Sequence, residues 1–168
     1  MQVSTIAAVA ENGVIGKDND LVWNLRDDMK FFMNTTQGHV VITGRRNYES
    51  IPEKYRPLRG RINVVVTRNP DYEAPGAVVV HNLTEAIQVA QQHSDKACFV
   101  IGGGQIYKEA LDSGVVDVQY ITHVEASPEG DTHYPLDGWK GWRGEVLGQG
   151  QPDENHDHAY RIMKYVKP

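Results

Sequence analysis

The chain of 168 residues has a single cysteine, Cys98. One cysteine excludes an internal disulfide framework and fits a reducing compartment. Long apolar runs are also missing: none approaches the roughly 18 residues of a membrane-spanning helix, so no membrane partner is expected. The opening segment MQVSTIAAVAENG lacks the basic start and apolar centre of a signal peptide. It is read as the first strand of a cytoplasmic protein. Basic residues are outnumbered, 17 Lys and Arg against 22 Asp and Glu, for a net charge of −5. That balance argues against a sequence-independent nucleic-acid binder. Internal repeats, low-complexity tracts and interdomain linkers are absent too, so residues 1–168 read as one domain. His156 and His158 are spaced i, i+2, unlike a zinc pair on a helix. No metal is expected, and neither histidine is given a role.

Short apolar runs are plentiful: VSTIAAVA (3–10), HVVITG (39–44), INVVVT (62–67), AVVVH (77–81), CFVIGG (98–103) and VQYITHV (118–124). Most are continuous rather than alternating, the pattern of strands buried on both faces of a largely parallel sheet. Helical patterns lie between them at 25–36, 47–51, 83–93 and 105–114, with Thr84 as a cap of the third and Gly114 as the end of the fourth. Strands alternating with helices predict an α/β sheet. WRGEVLGQG and HAYRIMKYVK flank the polar turn QPDENHD and predict an antiparallel hairpin on the sheet edge.

Four stretches carry candidate chemistry. In VIGGGQIY (100–107) a buried strand enters a helix through three glycines. Such a turn suits an anion at the helix N-terminus, or is simply a tight strand-to-helix connection. It is no dinucleotide fingerprint, since Tyr107 stands where the last glycine would. VVITGRRN and VVVTRN each end a buried strand with Arg45 and Arg46, or with Thr67 and Arg68, where open α/β sheets bind ligands. These gather around a phosphate or are solvated loop residues. Asn47 is expected to cap the short helix that follows. RPLRGR (56–61) offers Arg56, Arg59 and Arg61 beside Leu58, a surface loop first and a basic rim for an acidic substrate tail second. Finally, LRDDMKFF places Asp27 and Asp28 four residues before Phe31 and Phe32. Each acid shares a helix face with an aromatic ring, and helix-dipole preference alone explains both. Spacing does not choose between them.

Together the pieces resemble dihydrofolate reductase. STIAAVAENGVIG, WNL, GRRNYESIP, RPLRGRINVVVTR, VIGGGQIY, ITHV and EGDTHYP follow in family-like order over nearly the whole chain. The resemblance implies a predominantly parallel eight-stranded sheet with an antiparallel C-terminal edge and about four flanking helices. It implies a monomer that reduces 7,8-dihydrofolate with NADPH. The family's acid lies five residues beyond the Trp of its W-x-L motif, which selects Asp28, with Thr122 hydrogen-bonded to it and Trp23 and Leu21 nearby in the catalytic set. Ile6, Ala7, Phe32, Ile51, Leu58, Ile101 and Tyr107 are then expected to line the folate pocket, with Arg56 at its rim and Arg61 clamping the substrate's α-carboxylate. NADPH is expected against Ala8, Ile15, Gly16, Asn19, Gly44, Arg45, Arg46, Asn47, Thr67, Arg68, His81 and Thr132. The turn Gly102, Gly103, Gly104, Gln105, Ile106 and Tyr107 completes that set, with a cis Gly102–Gly103 bond. Residues 16–23 are expected to form a lid tethered by Asp131.

Some positions depart from the family pattern. Val22 and Arg26 stand where many members have proline, and loss of a fixed φ is expected to loosen the lid. Asn47 replaces a more usual Thr, and the segment IPEKYRPL is longer than in the shortest members. Two other readings suit the same fold, a reductase acting on a ribosylated pyrimidine in riboflavin synthesis and a non-catalytic nucleotide-binding regulator. The WNLRDD acid and Arg61 argue against the first.

Overall fold

The computed structural model describes residues 1–16 and 23–168. The chain runs β1 (Val3–Ala10), β2 (Val14–Gly16), α1 (Arg26–Thr36), β3 (Val40–Gly44), α2 (Arg45–Ser50), a 3₁₀ turn (Glu53–Tyr55), β4 (Ile62–Val66) and β5 (Val78–Val80). It continues with α3 (Leu83–Gln91), β6 (Cys98–Gly102), α4 (Gly104–Asp112), β7 (Val118–Val124), β8 (Thr132–His133), β9 (Arg143–Gly150) and β10 (Tyr160–Val166). Eight strands form one sheet in the order β5-β4-β3-β6-β1-β7-β10-β9. Pairing is parallel from β5 to β7, and β10 and β9 close the edge antiparallel. The expected parallel sheet, four helices and C-terminal hairpin are all present. The pairing of β2 with β8, a two-stranded sheet of its own, was not expected: three- and two-residue strands carry too little pattern to announce themselves.

The continuous apolar runs are explained by the two faces of the sheet. Val40, Ile42, Val64, Cys98 and Val100 point to one face, where Ala86 and Ala90 of α3 and Ile106 and Ala110 of α4 complete the main core. The intervening Val41 and Phe99 join Ile6 on the opposite face, against Phe31 and Phe32 of α1. With side chains alternating along a strand, a run must be apolar throughout when both faces are covered.

Helix ends differ from expectation at two places. The N-cap of α3 is Asn82, whose Oδ1 accepts the Glu85 N–H at 2.8 Å, and Thr84 lies inside the helix. The Glu85 carboxylate accepts the His81 N–H at 2.8 Å, a reciprocal brace. Asn47 does not cap α2, because the helix starts two residues earlier than the pattern suggested. Its Nδ2 donates to Thr43 Oγ1 at 3.0 Å and Ile101 O at 3.4 Å, tying α2 to the ends of β3 and β6. Gly114, at φ 78°, follows the last turn of α4 as anticipated.

Asn82→Ala should therefore lower unfolding stability by about 0.5–2 kcal/mol, the ordinary worth of an N-cap. Thr84→Ala should change it little. Urea denaturation of both variants checks the assignment, and equal losses would contradict it.

Candidate active site

Successive helix residues point about 100° apart, so the two acids of α1 diverge. Asp28 turns toward the sheet, where Thr122 Oγ1 of β7 donates to its Oδ1 at 2.6 Å. Burial raises its pKa, outweighing the hydrogen bond from Thr122, which acts the other way. Asp27 turns toward the C-terminal strands, where Tyr160 Oη donates to its Oδ2 at 2.9 Å. That hydrogen bond, with a smaller contribution from Arg26, lowers its pKa. Neighbouring carboxyls are thus pushed apart, one toward the neutral acid and one toward the carboxylate. Such divergence marks candidate acid–base sites.

Phe31 and Phe32, three and four residues beyond Asp28, pack into an apolar cluster. Ile6 of β1 and Phe99 of β6 are buried, and Phe32, Leu58 and Ile101 are half-buried around them. Four of the expected pocket residues, Ile6, Phe32, Leu58 and Ile101, are thereby in one cluster. Ala7 packs instead with the main core, and Ile51 belongs to a separate cluster with Tyr48 and Val65. Tyr107 is buried, and its hydroxyl donates to the Ile6 carbonyl at 2.6 Å. Trp23 is buried with Ala10, Val14 and Leu25.

The RPLRGR loop is braced by a residue that motif reading passed over. Asn63 of β4 is buried, and its Oδ1 accepts the Leu58 N–H at 2.9 Å. Its Nδ2 donates to the carbonyls of Leu58, at 2.9 Å, and Arg61, at 3.1 Å. One amide satisfies three backbone groups and fixes both candidate residues of the loop. A lone amide inside INVVV was the available signal. Arg61 donates from Nε to Arg59 O at 3.0 Å and from Nη1 to Thr36 Oγ1 at 3.2 Å. No carboxylate among the described residues pairs with it. Partial burial lowers its pKa, so the guanidinium is held in place without a counter-charge. Arg56 donates to the Glu49 carbonyl at 3.0 Å, and its peptide bond to Pro57 is cis.

Four adjacent parallel strands, β5, β4, β3 and β6, end on one rim of the sheet. His81 follows the first, and Thr67 and Arg68 the second; Gly44 ends the third before Arg45 and Arg46, and Gly102 ends the fourth before Gly103 and Gly104. The ends are cross-linked. His81 Nδ1 meets the Thr67 carbonyl at 3.0 Å, and Thr43 Oγ1 donates to the Gly102 carbonyl at 3.2 Å. Arg46 and Arg68 are exposed and form no ion pair among the described residues. Arg45 differs: its Nε meets Glu49 at 2.6 Å and its guanidinium lies over the Tyr72 ring.

The Gly102–Gly103 bond is cis, as the resemblance implied. Gly102 has φ 119°, and a Cβ there would come within 3.3 Å of the Tyr107 ring. A Cβ on Gly103 would meet only the Thr132 methyl, at 3.9 Å, so the turn presents bare backbone on that side. Gly103 N-caps α4 without a side-chain hydrogen bond, leaving N–H groups of the first turn unpaired by any cap. Gln105 Nε2 donates to Glu109, and Ile106 is buried in the core. Ala8 and Ile15 are half-buried against the two larger clusters. The Gly16 carbonyl accepts the Asp131 N–H at 3.1 Å, beside Thr132. Asn19 and Leu21, with the greater part of the expected lid, lie outside the described residues.

His156 had been given no role, yet it is 3% exposed. Its Nε2 accepts the Asp27 N–H at 3.0 Å. No local pattern could have found this contact, because the partners are 129 residues apart. Among the described residues no group of three or more His, Cys, Asp or Glu could hold a metal ion. None of the helices there is long and apolar enough to cross a membrane.

Comparison with known proteins places this geometry in a family. The sequence model of the family described as dihydrofolate reductase matches residues 2–167. A dihydrofolate reductase of Bacillus subtilis is 38% identical over 165 residues, covering 98% of this chain and 94% of its own. The type 3 dihydrofolate reductase of Salmonella typhimurium is 40% identical over 163 residues, 97% of this chain and 96% of its own. Among solved structures, the dihydrofolate reductase of Enterococcus faecalis, complexed with NADP(H) and RAB-propyl, is 34% identical. It superposes with a TM-score of 0.85 over 98% of this chain and 95% of its own. With its acid, its apolar cluster and its rim of strand ends in family order, the chain belongs to the dihydrofolate reductase family.

Proposed function

We propose that the region beside Asp28, between α1 and the sheet, is where this chain reduces 7,8-dihydrofolate to tetrahydrofolate with NADPH. The observation that carries the reading is Asp28: a partly buried acid, held by Thr122, pushed toward its neutral form and one helical turn before Phe32, which packs in one cluster with Ile6 and Leu58. Its two oxygens match a pterin's ring N–H and exocyclic amino group, a paired donor edge like that of guanidinium. The apolar cluster takes the flat ring. Arg61, fixed by Asn63 and Thr36, meets the carboxylate of the substrate's tail.

The cofactor suits the residues present. The rim carries donors and cations, namely Arg46, Arg68, the Thr67 hydroxyl and the backbone N–H groups that begin α4, and polyanionic phosphates are what such a set binds. When bound, NADPH supplies the hydride that reaches C6 of the substrate. This chain orients the pterin through Asp28, excludes bulk water by its apolar cluster and favours protonation at N5. A carboxylate gripping the far edge of the ring does not reach N5, so the proton arrives through water. A cytoplasmic monomer fits this reading, and the single cysteine is a buried free thiol.

Asp28→Asn should keep the fold and NADPH binding and cut turnover by about 10²–10⁴-fold at neutral pH. Part of the loss should return in acid, where the substrate protonates in solution, whereas Asp27→Asn should do little. The same change tests burial. An acid whose folded pKa is raised stabilises the fold only below its unfolded pKa, and loses that contribution as pH rises through the folded pKa. Asp28→Asn should therefore raise the melting temperature at pH 7 and not at pH 3. Equal kinetic losses from the two acids would contradict the assignment.

Arg61→Leu should raise the KM for dihydrofolate by about 1.5–3 kcal/mol of lost charge-assisted binding. NADPH should bind nearly as before. The reverse pattern, NADPH lost and dihydrofolate kept, would refute the clamp.

NADPH and NADH differ only in the 2′-phosphate, which falls to Arg46, Thr67 and Arg68. At about 1.5–3 kcal/mol per charged contact, two arginines give NADPH a preference of roughly two to four decades. Replacing Arg46 and Arg68 together should remove most of it by weakening NADPH alone, read as kcat/KM for both cofactors. A wild-type enzyme indifferent to the cofactor would refute the rim assignment directly.

A further inference from the structure

Helix α1 begins without a cap of its own. Leu25 occupies the N-cap and offers no side-chain acceptor. The N–H groups there are met instead by the loop between β9 and β10. The Asn155 carbonyl accepts from Arg26 N at 3.1 Å, and His156 Nε2 accepts from Asp27 N at 3.0 Å. Just outside the helix, Asp157 Oδ2 accepts from Asn24 N at 2.7 Å and Asp157 N donates to the Asn24 carbonyl. Three consecutive loop residues thus hold residues 24–27.

We propose that His156 is a positioning residue for the reaction, a distant N-cap that fixes the first turn of α1 and with it the seat of Asp28. The proposal rests on the reading of Asp28 as the pterin-gripping acid.

Three features make the ring a cap rather than a bystander. First, Asp27 N can only donate, so Nε2 must present a lone pair. Nδ1 lies 2.8 Å from Asp153 Oδ1, a carboxylate that accepts, so the single ring proton sits on Nδ1. With Nδ1 donating to Asp153, Nε2 is the ring atom that accepts the Asp27 N–H. Second, the ring is clamped. It stacks on Tyr160 with centroids 5.1 Å apart and planes 24° apart, and the Tyr160 hydroxyl returns to Asp27. Third, the Asp153 N–H and the His156 carbonyl, 3.0 Å apart, close the loop back on itself, so the ring is aimed by its own turn. The held amide is one residue before Asp28. Fraying of that turn would move Asp28 off Thr122 and admit water to it. The groups facing the ring are Asp27, Asp153 and Tyr160, with Arg26 paired to Asp27 at 3.4 Å.

Two variants separate the ring's packing from its acceptor. His156→Phe keeps a ring on Tyr160 and removes the acceptor. His156→Gln removes the ring and keeps an oxygen at the reach of Nε2. Thermal melting confirms folding, and kcat and KM for dihydrofolate are measured from about pH 5 to 9 beside NADPH affinity. The Phe variant should lose about three- to tenfold in kcat/KM for dihydrofolate, within the worth of an N-cap, with NADPH affinity unchanged. The midpoint of its pH profile should move to lower pH as Asp28 is hydrated. The Gln variant should recover most of both effects. A Gln variant as poor as the Phe variant, or a Phe variant with wild-type kcat/KM and profile, overturns the proposal. Hydrogen exchange at the Asp27 amide tests it without mutation. Protection like that of interior α1 amides is expected, and exchange as fast as in an exposed loop overturns the cap. An unaffected Asp28→Asn would instead remove the reading of the acid. A crippled Asp28→Asn beside a wild-type-like His156→Phe would remove only the cap's role.

Discussion

The hydroxyl of Thr122 and the carboxyl of Asp28 meet across the space between sheet and helix, and much of the fold serves to keep them meeting. A carboxyl near an apolar wall is costly to ionise, and a single hydroxyl offsets only part of that cost. The helix would gain by tilting the acid into water. Phe31 and Phe32 prevent it, because the same turn carries the rings that pack near Ile6 and Phe99. The acid is therefore held in place by the burial of its neighbours three and four residues on. The unfavourable environment gives a carboxyl that resists losing its proton, the property on which the proposed role of Asp28 rests.

A similar imbalance runs along the rim. Strand ends on a parallel sheet gather donors because a helix that follows a strand presents the unpaired N–H groups of its first turn there. Here Arg46 and Arg68 add charge without partners among the described residues. Arg45, by contrast, is neutralised by Glu49 and covered by Tyr72. The difference between adjacent arginines on one helix parallels that between Asp27 and Asp28. In both pairs one member is bound to neighbours that favour its charge, and the other is not. Positions where local consistency fails are where function is expected.

The fold was legible because burial on both faces leaves a continuous apolar signature, and six runs carried it. Helix limits were legible to within a few residues, but N-caps were not: Asn82 rather than Thr84 caps the start of α3, and Gly44 rather than Asn47 precedes α2. Capping depends on which residue leaves helical geometry, which a pattern of polar side chains does not state. Within the site, spacing alone left Asp27 and Asp28 equivalent. Family resemblance chose Asp28, and the structure shows that the two side chains diverge, Asp28 toward Thr122 and Asp27 toward Tyr160. Contacts between distant segments were not legible. Asn63 could have been suspected as an amide in an apolar strand, whereas His156 had no such signal in a polar loop.

The departure at Arg26 looks different once that loop is in view. Proline at this position would pre-set φ for the first helical turn but has no N–H to donate. Arginine gives up that constraint and gains a donor, which the Asn155 carbonyl accepts. The start of the helix is therefore held by a bond that proline could not make, at the residue next to the one His156 holds. Stiffness lost in the local backbone is replaced by a contact to the C-terminal hairpin. The consequence is a change in what the site depends on. With proline, the start of the helix would be set by its own sequence. With arginine, it is set by the packing of the loop before β10, so the seat of Asp28 is as secure as the attachment of the antiparallel edge to the parallel sheet.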